Sequence, residues 1–220
     1  MTVVVIQQEQ ETVQIPEWVT DLSSFRRWAT SDEFPERGWY AHLDGQLWVD
    51  PSMERLGHNQ IKTKIGAVLS MLADQAPGSR FLGDRMLLTN LVAGISTEPD
   101  GMFLSATTLR AQRARLRQGD DSLEVVGTPD MVLEVVSPSS VKKDTVILRN
   151  LYWRAGVREY WLAEPGREDV SFDILRRGAV GYLTVRKHAR WVKSSLFNRS
   201  FRLTRTHGDD AGPAYTFSVR

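Results

Sequence analysis

Glu134 lies within Pro129-Asp130-Met131-Val132-Leu133-Glu134-Val135-Val136, a near-continuous apolar run of the kind that forms a strand buried on both faces. An ionised carboxylate in that setting costs several kcal/mol unless a cation or hydrogen bonds compensate it. Asp100 follows Pro99 at the mouth of a second apolar segment, Gly101 to Ser105. If the two strands are neighbours, the carboxylates approach within a few ångströms, and a hard divalent ion, Mg²⁺ or Mn²⁺, relieves both through oxygen ligation alone. The plain alternatives are a buried ion pair with an arginine for Glu134 and a turn or cap role for Asp100. Asp130, which also follows a proline, is a second-rank candidate of the same ambiguity.

The elements that must position these residues follow from periodicity. Leu22, Phe25 and Trp28 at helical spacing predict a short helix, with Asp21, Ser23 or Ser24 as its cap, and Phe34-Pro35-Glu36-Arg37-Gly38 breaks it. Residues 39–50 read as a hairpin turning at Asp44-Gly45. Between His58 and Gln75, residues Ile61, Ile65, Val68, Leu69 and Leu72 share one helix face and Lys62 and Lys64 the other. Strands are expected around Arg85 to Leu91, Gly101 to Ser105, 129–136 and Val157 to Ala163. The stretch Thr107 to Arg117 reads as helix-compatible. A helix from about Val141 to Ala155 carries Leu148, Leu151, Tyr152 and Ala155 as its core stripe, with Gly156 as its C-terminal cap. Short strands follow from Val170, and after a loop from Asp209 a last strand is expected.

The 220 residues, 41% hydrophobic, are enough for one sizeable core, so a single domain over 15–220 is expected after an N-terminal arm of 1–14 that is polar beyond its strand-like VVVI. With no cysteine, disulfides, thiolate metal sites and cysteine nucleophiles are excluded. No signal peptide and no run of about 20 apolar residues is present, so a soluble, cytoplasmic protein with no membrane association is expected.

The formal net charge of +1 conceals segregation: Arg110, Arg113, Arg115 and Arg117 form one basic segment, and Arg176 to Arg205 holds nine Lys or Arg and no Asp or Glu. Such arrays either neutralise phosphates along a nucleic-acid backbone or protect a solvated strand edge. Trp191 and Tyr182 among these cations offer stacking surfaces. Neither a glycine-rich phosphate loop, nor a zinc pattern, nor a nucleophile elbow is found. His58, near the start of its helix, either faces the cleft or caps and packs. Tyr152, on its core stripe, reads first as a packing residue with a tethered hydroxyl.

An ordered set of motifs then carries a resemblance over most of the chain. These are Leu43-Asp44-Gly45-Gln46-Leu47-Trp48, His58 opening a helix, Pro99-Asp100, Pro129 to Ser137 with Glu134, Asp144, Tyr152, Gly156-Val157-Arg158-Glu159-Tyr160-Trp161, and Ser195 to Leu203 with Phe197 and Phe201. The set resembles the Uma two family of restriction-endonuclease-like proteins, within the PD-(D/E)XK nuclease superfamily. The resemblance implies an α/β, restriction-endonuclease-like core, a central mixed β-sheet flanked by helices with extra C-terminal strands. It implies Asp100 and Glu134 as ligands of Mg²⁺ or Mn²⁺ in an endonuclease that hydrolyses nucleic-acid phosphodiester bonds, DNA ahead of RNA, and by analogy with nuclease folds a homodimer.

Two positions depart from the family pattern. No lysine follows Glu134 by two residues, and the family's alternative lysine, four residues before the tyrosine, falls on Leu148. At 100° per residue neither Lys142 nor Lys143 lies along the Leu148-Leu151-Tyr152 stripe, whereas Asp144 does. A helix start can still aim Lys143 at the site, and Lys143 is therefore the expected catalytic lysine, with Lys142 second. Ala41 occupies the slot where the family often has glutamate. The rival reading is a catalytically eroded module that binds nucleic acid or a protein partner, and a further one is a scaffold in which Glu134 is only a buried ion-pair residue.

Overall fold

The computed structural model describes residues 7–8, 11–12, 14–116, 118–166, 169–206 and 212–220. In chain order its elements begin with β1 (Gln7–Gln8), β2 (Glu11–Thr12), α1 (Leu22–Ala29), β3 (Trp39–Leu43), β4 (Gln46–Asp50) and α2 (Leu56–Asp74). β5 (Arg80–Gly83), β6 (Leu87–Asn90), β7 (Ile95–Thr97), β8 (Gly101–Leu104), α3 (Ala106–Arg110), β9 (Ala114–Leu116), β10 (Glu124–Gly127) and β11 (Met131–Val135) follow. A π-helix (Lys143–Leu148) runs into α4 (Arg149–Arg154), and β12 (Glu159–Pro165), β13 (Val170–Arg177), β14 (Tyr182–Thr184), β15 (Val192–Ser194), β16 (Arg199–Thr206) and β17 (Ala214–Val219) complete the chain.

The architecture is α/β, with mixed sheets flanked by helices and a C-terminal group of strands, as expected. Where one central sheet was expected there are two six-stranded sheets, ordered β4-β3-β7-β6-β10-β9 and β14-β13-β12-β11-β8-β5, and a three-stranded sheet β15-β16-β17. In the second sheet β11 pairs in parallel with β12 and antiparallel with β8. All five residues of β11 are buried, because the sheet is covered on both faces. Met131, Leu133 and Val135 join the core formed with α2 and the C-terminal strands. Val132 joins Leu148, Leu151 and Tyr152 in the core shared with the first sheet.

Local chemistry explains most boundaries. Asp21 caps α1 in a reciprocal box, its carboxylate accepting from the Ser24 N–H at 2.7 Å while the Ser24 hydroxyl accepts from the Asp21 N–H at 2.9 Å. Asp44 and Gly45 take the positive φ values, 49° and 83°, that a tight hairpin turn needs. The stretch Thr107–Arg117 corrects a helical expectation. Only α3 forms, capped by Ser105, and after Gln112 (φ 54°) the chain becomes β9 and pairs with β10. Burial of Ala114 and the strand ladder override helix propensity there. That close pairing requires Gly127, where a Cβ would lie 2.1 Å from the Arg113 carbonyl oxygen.

Strands β5, β7 and β10 were not anticipated; each is only three or four residues long. Of the N-terminal arm, the β1–β2 pair is described; VVVI at 3–6, Arg117 and the part of the expected loop from Asp209 to 211 lie outside the described residues. The last strand is present as β17. Among the described residues no helix is long and apolar enough to cross a membrane.

Candidate active site

The antiparallel pairing of β8 and β11 sets Gly101 opposite Leu133, so Asp100, one residue before β8, lies beside the C-terminal end of β11. Its Oδ2 accepts a hydrogen bond from the Val135 N–H at 2.6 Å, fixing the carboxylate next to Glu134. Gly101 is small for a reason: a Cβ there would sit 2.8 Å from the Phe81 ring.

Glu134 points to the face covered by α4, and its one described hydrogen bond comes from the Tyr152 hydroxyl, 2.7 Å from Oε1. Burial pushes its carboxyl well above the ordinary range; the Lys143 charge opposes this, while Asp144 and Asp100 add to it. Glu159, a second buried glutamate in the same sheet, shows what a purely structural carboxylate looks like. Its Oε1 accepts from the Ser195 N–H (2.7 Å), the Ser195 hydroxyl (2.8 Å) and the Leu196 N–H (3.0 Å), and its Oε2 from Ser194 Oγ (2.7 Å) and Trp161 Nε1 (3.0 Å). Five neutral donors hold Glu159, whereas Glu134 has one described donor, Tyr152, and the cation whose charge acts on it is Lys143.

Lys143 is the nearby cation, and the π-helix places it. The i→i+5 bonding of that segment widens the turn, so the 100° spacing that turns Lys143 away from the Tyr152 stripe does not apply. The Lys143 ammonium pairs with Asp144 Oδ1 at 2.8 Å and lies 4.0 Å from the centre of the Trp39 ring. Burial alone would lower its pKa, but Glu134 and Asp144 outweigh that and raise it, so the group stays charged. Asp144 is itself raised by burial, partly offset by Lys143. Asp100, Glu134 and Asp144 all act on this one lysine, which offsets but does not cancel the cost of burying the Glu134 and Asp144 carboxyls.

On the outer side of Asp100, His58 Nε2 is 3.4 Å from its Oδ2 and His58 Nδ1 is 2.7 Å from Glu54 Oε1. Burial would lower the histidine's pKa, but these two acids raise it. Lys62, expected on the solvent face of α2, instead turns toward the site, 3.9 Å from Asp100 Oδ1, and contacts Glu54 and Asp84 at 2.5 and 2.7 Å. Its four-residue offset from His58 is the signal that shows the shared face. Burial would raise Glu54, yet bonds from Asn59, Lys62 and His58 hold it down to about 2.

The structure therefore gathers Asp100, Glu134, Lys143, Asp144, Tyr152 and His58, and adds Lys62, Glu54 and Trp39, which sequence reasoning missed. Asp130 and Lys142 do not join them. Asp130 starts β11 at the opposite end from Glu134, accepting from the Ser105 N–H at 2.7 Å and pairing with Arg113 (3.2 Å) and Arg158 (3.5 Å). Lys142 is exposed. Leu148 and Ala41, the two departures from the family pattern, are both fully buried in the apolar core.

Among the described residues no three His, Asp or Glu side chains are already grouped to hold a metal. The residues there that could hold such an ion are Asp100, its carboxylate fixed by the Val135 N–H, and Glu134 beside it.

The mixed sheets flanked by helices, with two carboxylates at adjacent strand ends, define an α/β protein with a candidate acidic site, and comparison places it further. The chain belongs to the Uma2 family, described as "Putative restriction endonuclease", which matches residues 22–205. The crystal structure of a putative nuclease belonging to DUF820 from Anabaena variabilis shares the fold, with a TM-score of 0.55 at 16% identity over 72% of this chain and 83% of that one. No curated protein matches the chain.

Proposed function

We propose that the protein is a divalent-metal-dependent endonuclease, a phosphodiester hydrolase acting on DNA ahead of RNA. The observation that carries this is Glu134: a wholly buried carboxylate beside Asp100, under-supplied with hydrogen bonds and facing a charged lysine. In this reading Asp100 and Glu134 hold Mg²⁺ or Mn²⁺. When bound, the metal lowers the pKa of a water and stabilises charge on the phosphate in the transition state. Tyr152 orients Glu134 by its hydrogen bond, and Asp144 orients Lys143. Lys143 supplies a positive charge near the attacking water and the reacting phosphate, with no proton to lose at neutral pH. Pairing of two copies, one per strand of a duplex, belongs to the same reading.

Purified protein should cleave DNA in Mg²⁺ or Mn²⁺, and Asp100→Ala and Glu134→Ala should each abolish it. Cleavage that persists in both variants sinks the assignment, and faster cutting of RNA corrects the substrate. Leu148 and Ala41, buried where the family pattern has charged residues, favour one rival, a binding module without turnover. Absence of cleavage in either metal, with nucleic-acid binding retained, selects it.

A further inference from the structure

The C-terminal sheet carries a second, unrelated surface. Burial alternates along β15, with Val192 and Ser194 buried and Lys193 exposed, and along β17, with Tyr215 and Phe217 buried and Thr216 exposed. The register sets the outer residues of β16 and β17 side by side: Arg202 pairs with Ser218, and Thr204 with Thr216. The outward face therefore consists of hydroxyl residues, Trp191, Lys193, Arg202 and Arg220, with neither a carboxylate nor a large aliphatic side chain among its described residues. The Trp191 ring holds two cations, the Arg202 and Arg220 guanidinium carbons lying 4.6 and 4.3 Å from its centre. Arg202 Nε is buried and has no acceptor among the described residues.

Lys193 also belongs to a concavity of about 420 Å³ that it lines with Arg176, Arg186, Thr184 and Ser195, its two aliphatic walls being Leu183 and Val185. Several other cations of this arginine-rich stretch are already engaged. Lys187 pairs with Asp173 at 2.9 Å, Arg190 with Asp169, and Arg177 donates to the Trp153 carbonyl at 3.1 Å. By contrast, Arg176, Arg186, Lys193, Arg202 and Arg220 form none of the described ion pairs, although Glu159 lies beneath this region with its charge saturated by hydrogen bonds. An arrangement held only for solubility would mix in carboxylates.

This surface is remote from Asp100 and Glu134. Arg176 is in register with Glu159 and so with Met131, at the start of β11, whereas Glu134 is near its end. Arg176 and Glu159 share the sheet face that meets the C-terminal strands, and Glu134 faces α4 on the other side.

We propose that this face is a second, sequence-independent nucleic-acid site that holds the phosphodiester backbone away from the position of cleavage. Guanidinium and ammonium groups neutralise phosphates there, hydroxyls donate to phosphate oxygens, and the arginine-clamped Trp191 offers ring surface to a sugar or base.

Fluorescence anisotropy of the full-length protein with a labelled duplex of about 30 base pairs, in EDTA so that nothing is cut, tests it across a salt series; that length spans about three helical turns. Arg176→Gln/Arg186→Gln/Lys193→Gln should weaken binding by about ten- to a hundredfold and flatten the log–log salt slope by about 2 to 3. Arg202→Gln/Arg220→Gln should weaken it on its own, and Lys64→Gln, which removes one exposed cation outside both sites, should not. Thermal melting must show each variant folded; Lys193→Gln alone, at an exposed position, gives a smaller loss that does not depend on refolding of the cavity. Unchanged affinity in both multiple variants overturns the proposal. So does equal binding of polyglutamate or of anionic vesicles, which would reassign the face to acidic protein or to a membrane surface. Because binding is read without metal, a protein that never cleaves but shows these losses keeps this site and loses the nuclease reading.

Discussion

At the residue scale, two glutamates of one sheet differ in what surrounds them. Glu159, with five hydrogen bonds from neutral donors, should lose about 1–3 kcal/mol of unfolding free energy on Glu159→Gln, since the amide turns a donor toward donors. Urea unfolding, with and without Mn²⁺, should give the same loss in both. Glu134 behaves oppositely. Its folded pKa lies above the ordinary 4.5, so the folded state holds this proton more tightly than the unfolded chain. The contribution is therefore most favourable below about 4.5 and declines as pH rises through 4.5 toward the folded value. Glu134→Gln should remove that decline, leave the metal-free melting midpoint no lower than wild type, and abolish the rise that Mn²⁺ gives the wild type. A midpoint that rises with Mn²⁺ equally in both proteins would contradict the metal role of Glu134. Glu54 has the reverse sign: held down to about 2, it stabilises above about 4.5 and that contribution fades as pH falls toward 2.

At the element scale, the candidate site was legible wherever a residue broke the pattern of its strand. Glu134 inside an apolar run and Asp100 before one were visible because their types conflict with their surroundings, and the ladder of β8 on β11 puts them together. Lys143 was harder, because a helical wheel presumes α geometry and the segment is π. Lys62 was missed because a lysine beside an apolar stripe reads as solvent-facing until its acidic partners are in place. The short strands β5, β7, β9 and β10 carry too few residues for a period to emerge, and pairing with distant segments defines them. A π-turn is an α-helix carrying one extra residue, so deleting Thr145 should return the segment to α geometry and turn Lys143 away. Circular dichroism should then show a folded protein while Mg²⁺-dependent cleavage falls at least tenfold; retained cleavage would mean that Lys143 does not need the wider turn.

At the scale of the whole molecule, the second sheet separates two surfaces. One lies among Asp100, Glu134 and Lys143, and the other on the arginine-rich outer strands at the far end and opposite face. If both engage the same polymer, duplexes too short to reach from one to the other should be cut with an unchanged kcat and a raised KM, and Arg176→Gln/Arg186→Gln/Lys193→Gln should raise KM for long duplexes alone. Steady-state kinetics over a length series reads this directly, and equal KM at all lengths would separate the surfaces functionally. The general fold class followed from the alternation of buried strands and amphipathic helices, but its division into two six-stranded sheets and smaller ones did not, because single-strand patterns say nothing about which edges meet. The π-helix has one further implication. Lys143 stands five residues from Leu148 along the chain, yet its ammonium pairs with Asp144 and its charge acts on Glu134 and Asp100. Sorting relatives into active and inactive by the letter at one aligned column would discard this chain; comparing charges at one point in space would keep it.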